Sequence, residues 1–178
     1  MSTGSSNTKK FGRWFQIRWA EKLGDPKNPY LVRWTLILFG FSIRIHHWLR
    51  SDDRRFFHDH SSDFVSIIMK GRYANVTPND SELPPMEGRN EIRHSVSGLS
   101  GSWYKPWRWK DSVWFSRAEQ RHYLDIPERG AWTLLIEGRP RNKWGFYVPR
   151  KGETKVRKMR PLEYFHRFGI IQANPEYQ

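Results

Sequence analysis

Two histidines separated by one residue, His58 and His60, are the side chains in this chain best suited to chemistry. On an extended segment residues i and i+2 point to the same face, so the pair presents two imidazoles to one point in space. Neutral imidazole suits several divalent transition metals, and a third ring would complete a site. His122, far downstream at the start of another strand-like run, can supply it. These three rings are expected to converge, with nitrogens about 2.0–2.2 Å from one ion, while His46, His94 and His166 lie elsewhere. His46 and His47 are adjacent, point to opposite faces of a strand, and read as ordinary sheet histidines. Counting by twos from His60 gives Ser62, Phe64 and Ser66 on the ligand face, which points Asp63 away from it.

Composition narrows the donors and the partners. The chain has 178 residues, enough for one domain with a full core, and no cysteine, so any metal is held by His, carboxylate or carbonyl. The longest apolar run, Trp34 to Phe41, falls well short of the roughly 18 residues of a membrane span. Met1 to Lys10 is polar with no apolar core behind it, so a cytoplasmic protein is the expectation. The formal charge is +13, from 31 Lys and Arg against 18 Asp and Glu, and such a field favours anionic partners: an acidic small molecule, or nucleic acid. Aromatic residues make up 16% of the chain, ten of them Trp, which calls for a ring-lined pocket or interface.

The elements that must position the histidines read mostly as short strands. Residues 1–12 are expected to be a disordered basic tail, and Phe11 to Leu23 a short N-terminal helix, since Phe11, Trp14, Phe15 and Trp19 fall near helical spacing. Val32 to Phe39 and Phe41 to Leu49 read as a hairpin around Gly40, with Ile43, Ile45 and His47 facing the core. Arg50 to Arg55 is a charged connection whose carboxylates and guanidiniums pair with one another or meet solvent. Phe64 to Met69 is a strand that turns at Gly71 into a second, Arg72 to Thr77. After a loop between Pro78 and Arg89, further strands are expected over Glu91 to Ser97, Ser112 to Arg117, Arg121 to Ile126, Ala131 to Glu137 and Trp144 to Val148. Pro161 to Phe168 reads as a short helix opened by proline. The sum is an all-β barrel or sandwich over residues 13–150, with a basic C-terminal extension, 151–178, packed on it.

The histidine pattern resembles the two half-motifs of the RmlC-like cupin superfamily. His58 and His60 match the H-x-H pair, and Gly71, eleven residues after His60, matches the glycine of the first motif. The glutamate positions of that motif hold Phe64 and Val65. Arg117 and Glu119 stand where the second motif has Pro-x-Gly before its histidine, here His122, and Ile126 stands at its asparagine position. With Gln16-Ile17-Arg18-Trp19, Trp132-Thr133-Leu134 and Trp144-Gly145-Phe146, the chain looks like small bacterial and phage cupin-like proteins. The resemblance implies a single double-stranded β-helix barrel with short N- and C-terminal helices, a metal in its mouth, and a dimer.

A three-His site without carboxylate is similar to that of the thiol dioxygenases of this superfamily. It implies Fe(II) first, with Zn, Mn, Ni or Cu as other ions, and a non-haem iron dioxygenase or related enzyme acting on an anionic small molecule. Arg44 or Arg117 would hold the anion, and Tyr73 would form a polar wall. A second class fits the charge better: a metal-free barrel binding a nucleotide, sugar phosphate or nucleic acid, with Trp103, Trp107, Arg108 and Trp109 stacking on bases and meeting phosphates. The bland reading of that stretch is an aromatic loop closing the barrel mouth. A phage structural or host-interaction protein is the third class.

Overall fold

A computed structural model describes residues 8–11, 14–25, 27–78, 91–98, 112–127, 129–149 and 156–168. Eleven strands and one helix are found there: β1 (Thr8–Phe11), β2 (Phe15–Asp25), β3 (Asn28–Leu38), β4 (Phe41–Trp48), β5 (Phe64–Pro78), β6 (Glu91–Ser97), β7 (Val113–Ser116), β8 (Tyr123–Asp125), β9 (Ala131–Glu137), β10 (Phe146–Pro149), β11 (Val156–Met159) and α1 (Pro161–Arg167). Nine strands form one sheet in the order β1-β2-β3-β4-β9-β5-β6, with β7 and β8 also on β5; β10 and β11 form a separate pair. All pairings are antiparallel. No described helix is long and apolar enough to cross a membrane.

The expected N-terminal helix is a strand. β2 pairs with β3 along its length, but the register slips between Arg18 and Glu21, where Ala20 takes φ of 49°. This bulge puts two residues of β2, Trp19 and Ala20, against one of β3, Trp34, and changes which side chains face inward. The aromatic spacing misleads for another reason: Phe11 and Phe15 pair across the β1–β2 turn, and Phe15 and Trp19 lie on one face of β2, so their spacing of four imitates a helix. Thr8–Phe11, expected within the disordered tail, pairs with the start of β2.

The expected turn at Gly71 is instead a kink within one strand. β5 runs through it for 15 residues; its first half pairs with β7 and β9, and its second half with β6 and β8. Gly71 adopts φ of 82°, next to a register shift between Ile68 and Lys70 opposite β9. The extra residue changes the parity of the buried positions, from Phe64, Ser66 and Ile68 to Tyr73, Asn75 and Thr77.

Ile43 and Ile45 also reverse the expectation: they are exposed, and Ser42 and His46 on the same strand are buried. The concave face of the sheet bounds a cavity of about 820 Å³, to which β4 contributes Arg44 and His46, so the apolar set of β4 is left on the convex face. There it joins a cross-strand row, Ile17–Leu36–Ile43–Ile136–Val65–Phe115. A second row, Trp34–Ile45–Leu134–Ile67–Val113, runs beside it. Apolar packing below the cavity is divided among Ile68, Tyr73, Leu124, Ile126 and Ala131, and a smaller group of Phe57, Val76 and Tyr123. A third group joins β10 and β11 to α1, where Phe146 stacks on Tyr164 at 3.8 Å.

A Cβ on Gly71 would lie 2.4 Å from the Gly130 carbonyl oxygen, and its φ disfavours any L side chain. Gly71→Ala should therefore cost about 1–3 kcal/mol in a urea titration. Gly138→Ala, whose nearest contact would be 3.6 Å, should stay within about 0.5 kcal/mol. Equal midpoints for the two variants would show that β5 is not held at this kink.

Candidate metal centre

The histidine pair lies on an extended segment clamped from both sides. His58 and His122 exchange backbone bonds of 3.0 and 2.9 Å, and His60 N–H donates to the Ala118 carbonyl at 2.8 Å. On the other edge Asp59 N–H donates to Gly145 O at 3.2 Å, and Tyr147 N–H to Phe57 O at 2.9 Å. Alternation then sends His58 and His60 to one side and Asp59 to the other. Asp59 is fully buried; its carboxylate accepts from Gly145 N–H (2.7 Å), Asn142 Nδ2 (2.9 Å) and Tyr147 Oη (3.0 Å), and pairs with Lys158 Nζ.

His58, His60 and His122 converge as expected, with one donor atom from each ring within 4.8 Å of the others. Nε2 of His60 and Nε2 of His122 are 2.6 Å apart. His122 Nδ1 donates to Asn75 Oδ1 at 2.6 Å, which leaves its Nε2 lone pair directed at the cluster. Burial lowers the pKa of all three rings: His58 falls to about 4, and His60 and His122 fall well below 6.5, where their mutual repulsion adds to the effect. Near neutral pH the site is three uncharged imidazoles. His58 Nδ1 is buried without a hydrogen-bond partner among the described residues. Three neutral nitrogen donors, one with its tautomer fixed and one with an orphaned nitrogen, are a donor set that fits a divalent transition metal.

The carboxylates near the site differ from one another. Asp63 points away, accepting from Ala118 N–H at 2.7 Å and from Arg141 at 2.5 and 3.1 Å. Asp53 pairs with Arg55 at 2.7 Å and accepts from Tyr164 Oη at 2.6 Å, and Arg54 pairs with Asp125 at 3.0 Å. Asp52 departs from the expected solvated or ion-paired role. Its Oδ1 accepts from Leu124 N–H at 2.9 Å, its Oδ2 is 3.8 Å from His58 Nε2, and burial pushes its pKa well above the usual carboxylate range.

Arg44 lines the cavity and pairs with Glu137 at 2.7 Å. Tyr73 also lines it, with its hydroxyl 3.1 Å from Ser66 Oγ and its pKa pushed up to about 12 by burial. Arg117 does not line it: Ser116 takes the buried position, so the next residue alternates outward and is exposed. His94 packs on Trp114 and His166 is exposed on α1, both apart from the cluster. His46 lies outside the three-ring group, yet it lines the same cavity. Trp103, Trp107, Arg108 and Trp109 lie outside the described residues. Asn75 and Asp52 escaped the sequence reading. The first is hidden by the parity change in β5, and the second by a charged run that looks like surface.

No family model matches this chain, and no curated protein matches it in sequence. Solved structures similar to it include hydroxypropylphosphonic acid epoxidase from S. wedmorenis, at 9% identity and a TM-score of 0.44, covering 66% of this chain and 56% of that one. Oxalate decarboxylase from B. subtilis is similar at 11% identity and a TM-score of 0.39, covering 96% of this chain and 37% of that one. The Lactobacillus farciminis oxalate decarboxylase has 9% identity and a TM-score of 0.38, over 79% and 32%. The chain thus spans about half the length of the epoxidase and about a third of the decarboxylases.

The buried rings give metal-free protein a signed pH dependence. His58 has a folded pKa of about 4 against 6.5, so its contribution is present above pH 6.5 and is lost as pH falls through 4, worth roughly 3 kcal/mol. His60 and His122 act with the same sign, whereas the raised pKa of Asp52 acts in the opposite one, its contribution fading as pH rises. The urea midpoint in chelator should fall between pH 7 and 4, and fall less in His58→Gln. A flat profile in wild type would mean that the rings are hydrated.

Proposed function

We propose that this chain is a cupin-type metalloprotein in which His58, His60 and His122 hold one divalent metal, Fe(II) first, and that it is a mononuclear non-haem dioxygenase or related enzyme acting on an anionic small molecule. The observation that carries the reading is the convergence of three neutral imidazoles, drawn from two distant segments, on the wall of one cavity. Carboxylate and hydroxyl donors alone would favour Mg or Ca, whereas three imidazoles suit Fe, Mn, Ni, Cu or Zn. When bound, such an ion supplies Lewis acidity and, as iron, redox capacity. The chain's own part is to position and to screen. Asn75 fixes the His122 tautomer, Asp59 holds the segment bearing the other two rings, and Phe64 and Phe146 dry the cluster's surroundings. Arg44 faces the substrate's acid group, and Tyr73 forms part of the polar floor.

Protein purified without a His tag should carry close to one transition metal per chain. The His58→Ala/His60→Ala double variant should lose it while keeping its far-ultraviolet circular dichroism, because the apolar packing does not rest on those rings. Asp63→Asn should leave metal content unchanged. Full metal retention in the double variant would end the reading.

The same reading includes a dimer through the convex face. The two apolar rows on β2, β3, β4, β9, β5 and β7 contain no charged residue and cover on the order of 400 Å², within the range of the largest apolar patches on single chains, which are often functional. Ile43, Ile45, Ile136 and Phe115 are 38–58% exposed on it. Light scattering should give twice the chain mass, and Ile43→Glu with Phe115→Glu should give the monomer. A monomeric wild type at tens of micromolar, on the order of ordinary working concentrations, would remove this part of the reading.

A further inference from the structure

Strand β5 and its partners β6 and β7 bring a polar patch to the cavity wall beside His122. Ser66 pairs with Trp114 across β5 and β7, and Asn75 pairs with His94 across β5 and β6. Two side-chain contacts close the circuit. The His94 ring lies 4.9 Å from the Trp114 ring, and Ser66 Oγ lies 3.1 Å from the hydroxyl of Tyr73, two residues before Asn75 on the same strand. Ser66, Tyr73, Asn75 and Trp114 all line the cavity, as His122 does. These four side chains carry no charge near neutral pH, since burial keeps the Tyr73 hydroxyl protonated.

Two nitrogen donors in the patch are left over. Asn75 is 1% exposed; its Oδ1 accepts from His122 Nδ1 at 2.6 Å, while its Nδ2 is buried without a hydrogen-bond partner among the described residues. Trp114 Nε1 is buried without one as well. Amide and indole nitrogens only donate, so the group missing in both cases is an acceptor. The Ser66–Tyr73 pair adds a further donor, because two hydroxyls joined by one hydrogen bond keep one O–H to give elsewhere. Buried donors left unpaired are destabilising and rare in folded proteins, so two of them around one patch of a cavity wall mark a place for an acceptor.

The chemistry of that acceptor follows from its surroundings. A carboxylate or phosphate taken out of water requires opposite charge beside it, and the four side chains of the patch supply none. A carbonyl oxygen has two lone pairs, one for each nitrogen donor, and requires no counter-charge. We propose that Asn75 Nδ2 and Trp114 Nε1 form a carbonyl-binding subsite, which takes an uncharged ketone or amide oxygen of the small molecule in the cavity. Asn75 then serves two groups at once, His122 through its oxygen and the ligand through its nitrogen. The substrate class narrows to an acid that also bears a carbonyl group. That narrowing rests on the enzyme reading above for the acid and the metal, whereas the carbonyl contact itself needs neither.

The probes are three molecules of nearly one shape: 4-oxopentanoate with both groups, pentanoate with the acid alone, and 2-pentanone with the carbonyl alone. Full chain with ¹⁵N-labelled indoles is titrated in chelator and again with Zn(II), and the Trp114 N–H resonance is assigned by its loss in Trp114→Phe. 4-Oxopentanoate and 2-pentanone should each move that resonance saturably and downfield, and pentanoate should leave it in place. 4-Oxopentanoate should bind about tenfold more tightly than pentanoate, and Trp114→Phe, which keeps a ring and removes the donor, should cut that advantage to about threefold or less. A resonance that moves for none of the probes, or as far for pentanoate, would overturn the subsite, as would an advantage that survives Trp114→Phe intact. If that variant fails to fold, the resonance is assigned through its proximity to the His94 ring, and the wild-type titrations decide the matter. Pentanoate that fails to bind while 2-pentanone moves the resonance would sink the anionic-substrate reading alone. A carbonyl response in a chain that takes up no metal would sink the metalloenzyme reading alone.

Discussion

The buried carboxylate of Asp59 is the contact on which the candidate centre depends. It sits between the two histidines and faces the other way, and it draws in four groups from the chain's last third: the Gly145 amide, the Asn142 amide, the Tyr147 hydroxyl and the Lys158 ammonium. A charge this deeply buried is tolerable only when paired and hydrogen-bonded, and stripping its partners typically costs several kcal/mol. Its demand for partners therefore ties the strand pair β10–β11, and α1 behind it, to the segment carrying His58 and His60. The side of that segment that bears His58 and His60 is positioned from its back. Asn142 reinforces the arrangement by donating also to the His60 carbonyl at 2.8 Å.

Charged side chains on the cavity wall have consequences for the rest of the sheet. Because the concave face is given to Arg18, Arg33, Arg44, His46 and Glu137, the residues that alternate with them must go outward, and many of those are Ile, Leu, Val, Phe and Trp. The usual rule that apolar residues mark the interior is thereby inverted across β3, β4 and β9. The charged wall and the apolar convex face are thus one design seen from two sides, linked by a period of two.

Much of this was legible in the sequence, and each failure has a physical cause. The spacing of His58 and His60, the strand over Ala131–Glu137 and the proline-started helix follow from local rules, and these hold. At Gly71 the reading failed because one inserted residue changed the strand's parity and hid Asn75 on the face that supports His122. In β1 and β2 it failed because aromatics spaced three and four apart fit a helix face as well as a turn and one face of a strand. The inward turn of the polar face of β4 was missed for a different reason: periodicity separates two faces but does not say which one meets water. Asp52 was missed because burial is decided by the tertiary path of its loop, which no local pattern records.

The charge state of the centre links the two halves of the cavity. Three neutral imidazoles would leave a bound divalent ion with its full charge, since none of the three compensates it. In a cavity of low effective dielectric that excess strongly favours a negative occupant and disfavours a neutral or cationic one. Asp52, the carboxylate nearest His58, is held toward its neutral form by burial and so relieves little of the excess. Compensation is then left to whatever small molecule enters. An acid group beside Arg44 would supply it from the wall, which is an electrostatic reason for proposing an anionic substrate that is separate from the +13 charge spread over the whole chain.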